Sequence, residues 1–110
     1  MEVVLAEGCT VIGDTDKHVL HRFQVPKNNQ INIYSAGIAD RNGDAPSGLE
    51  LEIYSISSNS VYISINDDSV SYTPPKSVSV SGDKVEIRIN NSTGTTKDVS
   101  AFFNSKVSVP

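Results

Sequence analysis

Carboxylates, imidazoles and phenols are the side chains here with chemistry to offer, and their spacing suggests four uses. Asp14, Asp16, His18 and His21 are the residue types that share a zinc ion. Asp40, Asn42 and Asp44 alternate oxygen-bearing side chains as a calcium loop does. Glu50, Glu52, Asp67 and Asp68 could supply paired acids for glycoside chemistry. Tyr34, Tyr54 and Tyr62 could stack a sugar ring or anchor a protein partner.

Each acidic pattern meets an objection. In a strand over residues 18–25, positions three apart point to opposite faces, so His18 and His21 do not converge and no metal site is expected. His21 then shares a face with Val19, Phe23 and Val25. In the 36–47 loop Gly43 comes two positions too early for an EF-hand turn, and no glutamate closes the loop. Calcium is the alternative there and a solvated loop the main reading. Glu50 and Glu52 fall on a solvent-facing strand face that gives neither a distinctive environment. There is no G-x-S-x-G elbow, no cysteine with a nearby histidine on a defined turn, and no glycine-rich phosphate loop. The reading is non-enzymatic, with no catalytic residue, metal or cofactor.

The elements that position these residues are strands. Val85, Ile87 and Ile89 alternate with Lys84, Glu86, Arg88 and Asn90, and residues 60–66 repeat the scheme. Ile31 and Ile33, then Leu49, Leu51 and Ile53, continue it. Residues 98–109 form a long or bent last strand. About eight strands, with one apolar face each, predict a single domain over 1–110: an all-β, two-sheet antiparallel sandwich of jelly-roll or immunoglobulin-like order. Gly82-Asp83 and Asp67-Asp68 read as two-residue hairpin turns, and Pro74-Pro75 as a crossing between sheets. Ser57-Ser58-Asn59, with Asn59 left-handed, is expected to set Ile53 against Ile63, Leu51 against Ile65 and Tyr54 against Tyr62. Asn91 to Thr96 reads as a polar turn, in preference to its overlapping glycosylation sequons. Alternation turns all three tyrosines outward.

Composition narrows the partners. The 110 residues carry a net charge of -4, and the nine lysines and arginines are dispersed, reading as solvated. That charge leaves no basic footprint for nucleic acid or an anionic membrane. Cys9 is the only cysteine, and the start of the chain does not read as a signal peptide, so cytoplasmic synthesis without disulfides is expected.

Val85-Glu86-Ile87-Arg88-Ile89-Asn90-Asn91-Ser92-Thr93-Gly94, followed by Val99-Ser100-Ala101-Phe102-Phe103, resembles the closing hairpin of small all-β virion proteins of tailed phages and related viruses. The resemblance covers about a quarter of the chain and carries no functional residue across. It implies a structural subunit of the virion, a capsid accessory or decoration protein made in the host cytoplasm. Such a subunit binds capsid or other virion proteins, and itself as an oligomer. The expected partner surface is Tyr34, Tyr54 and Tyr62 with Asp40, Arg41, Asn42 and Asp44 of the 36–47 loop. The alternative is a carbohydrate- or cell-surface-binding module, supported by calcium.

Overall fold

The computed structural model describes residues 2–11, 17–40, 48–66, 69–79 and 82–110. The strands are β1 (Glu2–Val11), β2 (Lys17–Gln24), β3 (Gln30–Asp40), β4 (Leu49–Ser55), β5 (Ser60–Ile65), β6 (Ser69–Ser79), β7 (Lys84–Asn91) and β8 (Lys97–Ser108). They form two four-stranded sheets, β1-β8-β3-β6 and β2-β7-β4-β5. All pairings are antiparallel. Only β4 and β5 are consecutive strands in one sheet; every other connection changes sheets. This is the eight-stranded jelly-roll order and not the immunoglobulin one, in which the first two strands share a sheet.

The alternating segments become the inner faces. Ile53 lies opposite Ile63 and Leu51 opposite Ile65, as the sequence predicts, and on their other side β7 sets Ile87 and Ile89 against them. From the other sheet Ile31, Ile33, Ala36 and Ile38 of β3 and Val99, Ala101, Phe103 and Val107 of β8 complete the core. Ile87, Ile89, Ile31 and Ile33 are fully buried. Each such side chain contributes about 1.5–3 kcal/mol relative to exposure, which lets the domain stand on packing.

Two predicted hairpins and one crossing are corrected by the pairing. β5 and β7 lie in one sheet and β6 in the other, so the connections containing Asp67-Asp68 and Gly82-Asp83 pass between sheets; residues 67, 68, 80 and 81 themselves lie outside the described residues. Turn chemistry cannot distinguish a hairpin from a crossing. The choice follows from burial: β7 hides five consecutive residues, Val85 to Ile89, and needs a strand on each side, which β2 and β4 supply. Pro74-Pro75 does not cross sheets but lies within β6, with Thr73-Pro74 in the cis form. An edge strand tolerates proline because one side of its ladder is unpaired.

Three irregularities re-aim side chains. In β3, Ile33 opposes Ser105 and Ser35 opposes Asn104, so Tyr34 is an extra residue. The inward positions therefore switch from Ile31 and Ile33 to Ala36, Ile38 and Asp40. In β2 the register shifts between Val19 and His21. In β5 it shifts at Tyr62, since Ile53 opposes Ile63 but Tyr54 opposes Val61. Such bulges bend a strand and break strict alternation.

Candidate functional site

The outer face of the β2-β7-β4-β5 sheet carries an ordered polar network. Arg22 opposes Glu86, which opposes Tyr54; Val19 opposes Arg88, which opposes Glu52. Arg22 donates to Glu86 through Nε at 2.9 Å and through its terminal nitrogen. Arg88 Nε donates to Glu52 Oε1 at 2.7 Å, and Arg88 Nη1 lies 3.7 Å from Glu86. The Arg88 guanidinium carbon sits 3.6 Å from the centre of the Tyr54 ring. Glu52, Glu86 and Arg88 are only 3%, 6% and 9% exposed. Neighbouring long side chains shield them on a face the sequence reads as solvated, so Glu52 and Arg88 are a correction. These two cations and two anions balance, and exposed Val19 and Val61 flank them.

The tyrosine pair is also corrected. Residues 56–59 make a four-residue connection with Asn59 at φ 52°, and the bulge at Tyr62 restores the register that an odd loop was expected to set. Asn59 takes the left-handed conformation as predicted. Tyr54 points outward beneath Arg88, and its hydroxyl donates to Asn59 Oδ1. Tyr62 instead packs against the edge of the core and donates to Asp83. The same carboxylate oxygen accepts from Ser55 Oγ at 3.1 Å, and the Asp83 carbonyl accepts from Val25 N at 2.9 Å. Asp83 thereby ties together the ends of β2 and β4, the start of β7 and the bulge of β5.

Tyr34 lies on the opposite sheet, 40% exposed. It borders a surface cleft of about 350 Å³ with Asn104, Ser105 and Lys106. The three tyrosines thus belong to three environments and form no common platform.

Asp40, expected in a loop, closes β3 and is 4% exposed, with its Oδ2 3.3 Å from Lys97 Nζ. Ala36 to Asp40 are strand because β8 continues to pair with them as far as Val99. The rest of that surface, Arg41, Asn42 and Asp44, lies outside the described residues, as do Asp14 and Asp16. The shift in β2 sets His18 opposite Ile89 and His21 opposite Ile87, two inward-facing residues, so the histidines share a face after all, and Val19 leaves that face. His21 stacks on Phe23, ring centres 5.4 Å apart. Among the described residues no His/Cys/Asp/Glu group is arranged to hold a metal, and no helix is long and apolar enough to cross a membrane. Asn91 is 2% exposed; it donates to Thr95 O at 2.9 Å and accepts from Thr93 N at 3.0 Å and Thr93 Oγ1 at 2.7 Å. Its turn links the two sheets.

Neither protein-family models nor curated protein sequences give a match to this chain. The residues that sequence reasoning missed are Arg88 and Glu52, whose only signal is opposite charge on alternating strands, and Asn104 and Lys106, brought to Tyr34 by strand order.

Proposed function

We propose that this chain is a non-enzymatic structural subunit of a virus particle, a capsid accessory or decoration protein that docks on other virion proteins. Jelly rolls are an architecture that viral capsid subunits use, which supports the reading at the level of fold alone. The observation that carries it is the outer face of the β2-β7-β4-β5 sheet. Arg88 is held by Glu52, Glu86 and the Tyr54 ring, so this face is already ordered, and exposed Val19 and Val61 flank it. Arginine and tyrosine are enriched in protein interfaces, and side chains immobilised beforehand lose little entropy on docking.

The test is association with the assembled particle from the natural source, followed by sedimentation. Val61→Asp places an uncompensated charge in the face and is expected to weaken association by about tenfold or more while leaving the melting temperature within a few degrees. Wild-type chain that stays a free 11.8 kDa species beside its particle overturns the reading.

A further inference from the structure

We propose that the cleft beside Tyr34 is a binding site for a single carboxylate-bearing sugar ring, such as a uronic acid. The proposal goes beyond the particle reading, whose docking face is on the other sheet. One irregularity adjoins the cleft: β3 carries Tyr34 as an extra residue against β8. The surface opens there to about 350 Å³. That volume is at the lower end for small-ligand sites and is enough for one ring.

The lining supplies three complementary functions. Tyr34 offers a ring face for the apolar C–H surface of a pyranose. Unlike the hydroxyls of Tyr54 and Tyr62, which are engaged by Asn59 and Asp83, the Tyr34 hydroxyl has no partner among the described residues. The Asn104 amide and the Lys106 ammonium likewise have no side-chain partner among them. An amide both donates and accepts, which suits vicinal hydroxyls, and an ammonium pairs with a carboxylate.

Backbone arrangement argues against other occupants. β3 and β8 are the two central strands of their sheet, paired on both sides. An extended peptide therefore finds no free ladder to join. The cleft has one lysine and no helix N-terminus, which makes it a poor phosphate site. Its position favours a compact ligand lying on the sheet face.

Titration of the full chain, followed by backbone amide NMR, tests the site with glucuronic acid, glucose, a capped glutamate and inorganic phosphate. Saturable shifts around Tyr34, Asn104, Ser105 and Lys106 are expected with glucuronic acid, with about tenfold weaker response to each of the other three. Tyr34→Ala and Lys106→Gln are each expected to weaken glucuronic acid binding about tenfold, and Ile56→Ser, in the β4–β5 connection, to leave it unchanged. Lys106 is exposed, so Lys106→Gln remains informative even if Tyr34→Ala does not fold. Absence of saturable shifts, equal binding of glucose, capped glutamate or phosphate, or full binding by Lys106→Gln overturns the proposal. None of these outcomes bears on association with a particle.

Discussion

Arg88 sits over the Tyr54 ring, its guanidinium carbon 3.6 Å from the ring centre, while its Nε donates to Glu52 at 2.7 Å. The pair sits on the outer face of the sheet, yet Arg88 is only 9% exposed. A charge held this way is stable only while its partners remain, because a desolvated ion left alone loses both water and counter-charge.

Arg88→Met is accordingly expected to destabilise the domain by about 3 kcal/mol, since it takes a charged partner from the buried carboxylate of Glu52. Glu52→Leu combined with Arg88→Met removes both charges and is expected to recover most of the loss. Urea unfolding of the two single variants and the double variant checks this. A double variant as unstable as the sum of the singles contradicts a coupled pair.

At the corner organised by Asp83, Tyr62→Phe removes one of two side-chain donors to the carboxylate. Ser55 remains, so the expected cost is about 1 kcal/mol. Asp83→Ala removes the shared acceptor and is expected to cost about twice as much, read from chemical denaturation midpoints at constant slope. Equal losses for the two variants count against Asp83 as the common tie.

Gly48 and Gly82 both adopt left-handed backbone, at φ 80° and 76°, but their surroundings differ. A Cβ at Gly48 would stand 3.0 Å from Thr93 Cγ2, whereas at Gly82 the nearest atom is Lys27 Cγ at 3.8 Å. Alanine at either site carries the left-handed penalty of about 1–2 kcal/mol. Gly48→Ala adds the clash with Thr93 and is expected to lower the melting temperature by several degrees more than Gly82→Ala.

Asn91 satisfies three groups of its own turn from a buried position. Asn91→Ala is expected to cost about 2 kcal/mol, because the Thr93 N–H loses its acceptor and the Thr95 carbonyl loses one of its two donors. Expression through a eukaryotic secretory route is expected to leave Asn91 unmodified, as fragment masses of the digested peptide show. A glycan on Asn91 in folded protein contradicts the buried arrangement.

The strands with strict alternation were legible from the chain itself. Ile53 meets Ile63 and Leu51 meets Ile65 as expected, because both faces of that hairpin must agree on burial. The class of fold followed from the same reasoning, as did the left-handed Asn59. The interrupted strands were not legible. β3 looks finished at Ser35 because its apolar positions change parity, yet Tyr34 absorbs the slip and the strand runs on to Asp40. The same device in β2 put His18 and His21 on one face.

Local alternation thus determined that the protein is two face-packed sheets, since a side-chain period of two leaves one apolar face per strand to be buried. Strand order, the neutral clamp around Arg88 and the cleft at Tyr34 were decided only in the tertiary structure. Each depends on residues far apart in the chain, Glu52 opposing Arg88 across a ladder and Tyr34 brought to the same cleft as Lys106. A polar turn of a given sequence serves a hairpin and a crossing equally well, so what selects between them is which partner strands remain to cover the apolar face.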